Sequence, residues 1–534
     1  MPQDLPNPAG AAAAIDDNRI APEKWLVLGA IFLAAVMMPL SAIAPVVALP
    51  AIGAELGGGA FAINWIVNGA FLAFGSAVMA AGALADLFGR KRLFTLGLCT
   101  YSLLSLVVAA SPTILVLDVA RTLQAAAAAL AMIAGFAALA QEFEGAARTR
   151  AFSILGTGFG IGIAFGPIIG GALVGSLGWR AIFVMAAVLS LGVLLVSAPR
   201  LRESRDPDAR RFDAWGVVTF TLTLALLTLG IMQGPQSGWD SLPVLALFAG
   251  FGVMLAVFLA VERAQVRPML DVTLFTYPRF LAVLSLPVAV AYSFIVVLFV
   301  LPARLVGVEG MLAAEVGLLM LPLSGPITII PFLGALLTKW VPPGLLSGMG
   351  LIIGAGGLVL LALVEPGAGA LAFVLPLLMI GVGAAIPWGL MDDLAVSVVP
   401  TERAGMAVGI FATARVAGES IAIAVTGAIL LGFTQAGLRD AAPGALSPEA
   451  VVAAANGMVG GRIAEAALAA PALDGSVLTR LYGNAFSAAM LVLALITFAA
   501  ALAAIGFVRR HEVKGMEPPP VTESKLALCE AESL

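Results

Sequence analysis

Six ionisable side chains stand inside runs of sequence that otherwise carry almost no charge: Asp118, Arg121, Asp392, Asp393, Arg415 and Glu419. An ionisable group at such a place is costly and is a functional candidate by default. A carboxylate whose exposure or cationic partner alternates can take up and release a proton. Arg121 lies roughly 13 Å in from one end of its run at 1.5 Å per residue, with Asp118 one turn away as its expected partner. Arg415 and Glu419 are spaced i,i+4 and are expected to pair on one helix face. Asp392 and Asp393 are adjacent, so they point about 100° apart and at most one faces a central cavity squarely. Asp392 shares a face with Trp388, four residues earlier. Other chemistries are excluded. The single histidine, His511, sits in a polar tail, and Cys99 and Cys529 support neither a disulfide framework nor a metal cluster. The run from Gly156 to Gly162, GTGFGIG, has the wrong spacing for a dinucleotide or phosphate loop and follows no strand. No enzyme activity, metal, cofactor or nucleic-acid partner is expected.

The elements that hold these charges are set by composition. The chain is 61% hydrophobic and 11% charged, with a mean hydropathy of +1.06, whereas a soluble globular chain carries roughly 25% charged residues. Hydrophobic runs bounded by charges or Pro/Gly turns predict spans at 25–49, 61–84, 93–110, 113–140, 150–175, 180–199, 214–233, 241–261, 280–303, 312–338, 343–364, 370–399, 404–434 and 483–508. Each is long enough to cross a hydrocarbon core of about 30 Å. An even number of spans puts both tails on one side. Of the 28 Lys and Arg residues, twenty-one then fall in the tails and on the tail side, against Arg180, Arg304, Arg439, Arg462 and Arg480 opposite. Arg121 and Arg415 lie inside spans. This is a strong positive-inside signal and predicts cytoplasmic termini. The polar segment before Trp25 reads as a tail, not a signal peptide.

One cytoplasmic loop, GALADLFGRKRLF from Gly82 to Phe94, adds an acid to its bases. Asp86 and Arg90 are spaced to form charge pairs with the base of a neighbouring helix. Gly82 and Gly89 permit close approach and a tight turn. Arg90, Lys91 and Arg92 alone would serve as a topology anchor, but Asp86 opposes that trend. In the fifth span Gly158, Gly162, Gly166 and Gly170 recur at strict i,i+4 spacing, followed by Gly171. They form a slowly drifting stripe on which another helix can lie at backbone contact. Pro167 removes one helical hydrogen bond and allows a bend.

These segments resemble the major facilitator superfamily, in particular its fourteen-span drug:proton antiporter branch. GALADLFGRKRLF is similar to its loop motif at Gly82, Leu84, Asp86, Gly89, Arg90, Lys91 and Arg92. LDVARTLQA, Leu117 to Ala125, is similar to the fourth-span motif with its buried Arg121 and Gln124. GIAFGPIIGGAL, Gly162 to Leu173, is similar to the antiporter motif of the fifth span, matched at Gly162, Gly166, Pro167, Gly170 and Gly171. GALLTKWVPPGLL, Gly334 to Leu346, echoes the loop motif in the second half, as an internal repeat would.

The resemblance implies an all-α polytopic fold of two six-helix halves, residues 25–199 and 280–508, with linkers and two inserted helices over 200–279. The tails are 1–24 and 509–534, and residues 435–482 form a long extracytoplasmic loop. It implies alternating access in a bacterial inner membrane, one chain as the working unit, and protons and a small molecule as partners. The loop becomes a cytoplasmic gate, and the glycine stripe a sliding surface between halves. Arg over Lys and abundant Ala and Gly suit a bacterium with GC-rich DNA. Trp65, Asn68, Phe71, Trp388 and Met391 suit a cavity wall for flat, apolar or cationic substrates, through stacking, cation–π attraction and the adaptability of Met, and Ser41 is expected on the same wall. One departure matters: the branch carries an acid in the first span ahead of Ala-Leu-Pro, and here Ser41 stands at that place. Proton coupling is therefore expected at Glu419 and Asp392, with Asp118 in reserve. The expected function is proton-driven export of hydrophobic or cationic compounds. The alternative is a transporter of one metabolite or siderophore-like product.

Overall fold

Apolar runs this long satisfy their backbone groups internally as helices when no water is at hand. The computed structural model describes residues 22–143, 145–205, 214–264, 278–391, 394–395 and 404–509, and those residues contain no strand. Fourteen of the described helical segments are long and apolar enough to cross a membrane.

The first half holds α1 (Pro22–Leu56), α2 (Ala60–Phe88), α3 (Arg90–Ala109), α4 (Ile114–Glu142), α5 (Gly145–Leu177) and α6 (Arg180–Ser197). The inserted pair is α7 (Ala214–Ser237) and α8 (Leu242–Ala264). The second half begins with α9 (Pro278–Gly307), which passes through a π turn at Ala291–Ile295. Next come α10, in pieces Ala313–Leu319, Leu321–Ser324 and Pro326–Leu337, then α11 (Pro343–Ala362), α12 (Leu371–Trp388), α13 (Ala404–Ala441) and α14 (Gly475–Arg509). With an even number of spans, α1 starts and α14 ends on the same face of the bundle, called here the terminal face.

Two buried clusters hold the first half. A third spans the second half and takes in Ile43 and Val46 of α1, Val67 of α2 and Ile163 of α5, so the halves share apolar core. The inserted α7 packs against both α2 and α13, across the seam. Gln236 at its end exchanges two amide hydrogen bonds with Asn456, at 2.9 and 2.8 Å, and Gln435 donates to the Pro235 carbonyl at 2.7 Å. Its partner α8 turns Leu245, Val253 and Val257 outward, as a lipid-facing helix does.

Three boundaries differ from the sequence reading. The segment 435–482 is mostly helical: α13 continues to Ala441, α14 starts at Gly475, and two short helices, Pro448–Val459 and Ile463–Ala469, lie between. Val451, Ala454, Ala455 and Met458 recur at helical spacing and are buried, which draws the first of these helices into the core of the second half. Secondly, α12 breaks at Trp388, just after Pro387 and before Gly389, and Met391, Leu394 and Ala395 beyond the break are helical again. Arg304 is the third case. The helix α9 runs past 303 to Gly307, so Arg304, at its outer end as expected, lies buried in its last turn, paired with Glu309 at 3.4 Å and bonded to the Val364 carbonyl at 2.6 Å.

Candidate functional site

Both halves wall a cavity of about 350 Å³ in the middle of the bundle. From the first half it receives Met38 and Ser41 of α1, Phe71 and Phe74 of α2, Tyr101 of α3, Arg121, Met132 and Phe136 of α4, and Phe159 of α5. The second half contributes Ile295 from the π turn of α9, Trp388 at the end of α12, and Arg415 and Glu419 of α13. On α2 and α4 the lining runs toward the terminal face, as far as Val78 and Phe136. Phe71 meets Phe299 edge-on at 5.3 Å across the seam, and Phe294 supports Trp388 at 6.3 Å.

Arg121 is positioned by sequence features of three helices. Thr113 caps the start of α4, accepting from the Val116 N–H. Small residues let α4 approach its neighbours, with the Gly97 backbone against Ala131 and Gly135 under Phe94. In α1, Pro45 lacks the N–H that would have bonded the carbonyl of Ser41, four residues earlier. That carbonyl accepts from Arg121 Nη2 at 2.9 Å instead. Arg121 Nη1 donates to Gln124 Oε1 at 2.6 Å, and Gln124 Nε2 donates to Ser105 Oγ, which donates to the Tyr101 carbonyl. The Phe183 ring lies 5.7 Å from the guanidinium carbon. Arg121 is 5% exposed.

Asp118 is not the partner of Arg121. It is buried, its Oδ1 has no hydrogen-bond partner, and its carbonyl accepts from Thr122 Oγ1. Proline-freed backbone and Gln124 have taken the place that helix spacing assigned to the acid. Glu419 and Arg415 do line one cavity together, yet no ion pair within 4.0 Å joins them. The Arg415 guanidinium sits 5.9 Å from the Phe411 ring and has a further interaction of its own. Asp392 and Asp393 lie outside the described residues.

Of the expected cavity wall, Ser41, Phe71 and Trp388 line the cavity, whereas Trp65, Asn68 and Met391 do not. The α2 lining residues Val67, Ala70, Phe71, Phe74 and Val78 share a stripe about 100° wide. Asn68 falls roughly 100° from its centre and Trp65 on the opposite side. Asn68 is buried and bonds its own helix at the Asn64 carbonyl, Trp65 stacks on Phe61, and Met391 is buried in the second-half core. Tyr101, Phe136, Phe159 and Met132 were missed. For α4 a signal existed: Ala125, Ala128, Met132 and Phe136 follow Arg121 on one helical face.

The loop motif finds a partner that sequence did not name. Gly89, at φ 106°, both ends α2 and starts α3. A Cβ there would strike the Glu203 carboxylate. Glu203 meets Arg92 Nε at 3.6 Å, and the Arg90 N–H donates to the Ser204 carbonyl at 3.0 Å. The described contacts therefore tie the loop to the linker segment just after α6. The side chain of Asp86 lies outside the described residues, and among those residues a Cβ at Gly82 would meet nothing within 4 Å.

The glycine stripe packs as expected at backbone distance, but on α1 of its own half. Gly162 abuts the Val36 carbonyl, Gly166 the Ile43 side chain and Gly170 the Ala44 backbone. The seam between halves uses the adjacent face of α5. There Gly171 abuts the Ala313 carbonyl, Gly317 of α10 abuts the Pro167 carbonyl, and Ser324 Oγ donates to the Ala164 carbonyl at 2.8 Å.

A paired-half bundle with a central cavity is matched by known proteins. The family model described as Major Facilitator Superfamily matches residues 31–423. The chain belongs to the major facilitator superfamily. Within it, the chain is 32% identical over 408 residues to the "Multidrug resistance protein Stp" of Mycobacterium tuberculosis, covering 76% of this chain and 75% of that protein. It is 30% identical over 462 residues to the "Probable actinorhodin transporter" of Streptomyces coelicolor, covering 81% and 76%. The "Multidrug efflux pump LfrA" of Mycolicibacterium smegmatis is 26% identical over 502 residues, covering 92% and 98%. Among solved structures, a bacterial homologue of the human lysosomal transporter Spinster, crystallised inward-facing and unoccupied, covers 93% of this chain and 100% of its own, with a TM-score of 0.67 and 17% identity. That likeness bears on the fold alone. The chain is thus a multi-pass membrane transporter with multidrug and antibiotic efflux proteins among its relatives.

Proposed function

We propose that this transporter is a proton-coupled exporter that carries hydrophobic, drug-like compounds out across a bacterial plasma membrane by alternating access, with both termini cytoplasmic. The observation that carries the reading is the shared cavity, with Arg121 supplied by one half and Glu419, Arg415 and Trp388 by the other. A rocking motion of the halves about the α5–α10 seam would change the surroundings of every one of these groups at once. Glu419 is the proton carrier: it is the one acid among the described lining residues, on the helix that packs across the seam against α2 at Gly75. Ser41, where the branch carries an acid, serves the site through its carbonyl instead.

A second reading, export of one endogenous product, is favoured by relatives named for a single compound, such as the actinorhodin transporter and the "Cephamycin export protein CmcT" of Amycolatopsis lactamdurans. Everted vesicles carrying an imposed pH gradient test both. Addition of substrate should dissipate the gradient in proportion to uptake, and a panel of dissimilar dyes separates broad from narrow export. Glu419→Gln should still bind substrate and should lose at least tenfold of gradient-driven accumulation. Gradient-driven accumulation at the wild-type level in Glu419→Gln would remove Glu419 from the role and bring Asp118 forward.

A further inference from the structure

The cavity holds a cation, Arg121, whose partners among the described residues are all uncharged. Arg121 is 5% exposed, and its partners are the neutral oxygens of Gln124 and Ser41 and the ring of Phe183. Its Nε has no hydrogen-bond partner. Among the described residues no carboxylate lies within ion-pair distance: Asp118 on the same helix does not pair with it, and neither does Glu419 on the opposite wall. A buried charge without a counter-charge is strongly unfavourable, and a charge in an apolar enclosure attracts an opposite one far more strongly than it would in water.

We propose that the cavity selects substrates carrying an anionic group, a carboxylate or an ionised phenol or enol, which seats against Arg121 while an aromatic body lies along Phe71, Phe136 and Trp388. This rests on the export reading and adds the substrate class to it. The guanidinium is held before the ligand arrives, because two of its nitrogens are already fixed by Gln124 and the Ser41 carbonyl. Little ordering is then lost when an anion binds. The lining otherwise consists mostly of apolar side chains, so the anion meets few competing dipoles. A cationic substrate would fare worse. It would lie between Arg121 and Arg415, with Glu419 as the one described lining acid to offset them. Arg415 has an interaction of its own, and Arg121 is held by the uncharged Gln124 amide and Ser41 carbonyl. Arginine suits the role because its planar fork binds planar carboxylates with defined geometry and keeps its charge when buried.

The test uses three probes of one shape with the purified full chain in lipid nanodiscs: anthracene-9-carboxylate, its methyl ester, and 9-(aminomethyl)anthracene as the ammonium. Equilibrium binding is read by probe fluorescence at pH 7.5. The carboxylate should bind at least tenfold more tightly than the ester and the ammonium. Arg121→Gln should bring the ratio of carboxylate to ester affinity within twofold of one, and Arg121→Lys should retain at least a threefold preference. Ammonium binding as tight as carboxylate binding in the wild type overturns the proposal, as does an undiminished carboxylate preference in Arg121→Gln. Should the glutamine variant fail to fold, the wild-type ranking and the lysine variant still decide. Failure of the export reading looks different. A carboxylate preference in binding with no gradient-driven movement in vesicles would overturn export and leave this proposal standing. Export of all three probes with equal affinity would do the reverse.

Discussion

Replacing Gly171 by alanine adds one methyl group at the seam between the halves. The new Cβ would fall inside contact distance of the Ala313 carbonyl oxygen, 3.0 Å from the Ala313 carbonyl carbon and 3.2 Å from Ala314 Cα. All three are backbone atoms, so no side chain can rotate away. α10 must retreat by a sizeable fraction of an ångström. Overpacking of this kind costs about 1–3 kcal/mol. The cost applies only while α5 and α10 are in contact, so it shifts the equilibrium between facing states by about 5- to 150-fold. Gly166→Ala is the matched control, since its Cβ would meet the Ile43 side chain of α1 in the same half at 3.1 Å. The assay is a spin-label distance distribution between Ser176→Cys on α5 and Leu312→Cys ahead of α10, both exposed, in a Cys99→Ser/Cys529→Ser background. Gly171→Ala should transfer most of the distribution to a longer distance and slow efflux, while Gly166→Ala leaves the distances alone. Unchanged distances and wild-type efflux in Gly171→Ala would refute the seam as the moving contact.

Three predictions concern residues outside the cavity. Glu203→Gln removes the Arg92 ion pair, whose arginine is mostly exposed, so the thermal midpoint in detergent should fall by less than about 1 kcal/mol equivalent. Gly89→Ala should cost more, about 1–3 kcal/mol, because φ is 106° there and the Cβ meets Glu203; Gly89→Ala/Glu203→Ala should recover only the steric share. Arg304→Met leaves Glu309, 3% exposed, without its cation, and should destabilise by about 3–5 kcal/mol. In Arg304→Met/Glu309→Gln the loss should be largely recovered, and a double-mutant cycle on the melting data checks the coupling.

Much of the architecture was legible in the linear pattern. Apolar run length sets the number of spans, because a backbone that crosses hydrocarbon must be helical over about 20 residues. Periodicity found the backbone-contact stripe at Gly162, Gly166 and Gly170, and spacing rules placed Arg121, Arg415 and Glu419 within spans. Each of these readings depends on neighbours along one helix, where geometry is known in advance.

What the sequence could not determine is which helix lies opposite. Asp118 and Arg121 have pairing spacing, yet Pro45 of another span frees a carbonyl that takes the guanidinium, and only the approach of α1 to α4 decides that competition. The glycine stripe announces a close partner without naming it, and the fold assigns α1 to Gly162 and α10 to Gly171. Trp65 and Phe71 are both aromatics of α2, and the direction of the cavity selects Phe71. Glu203 meets Arg92 because α6 returns the chain to the loop. Local spacing determined which residues share a face. Packing between distant helices decided what each face meets, because that energy belongs to pairs the linear order does not bring together.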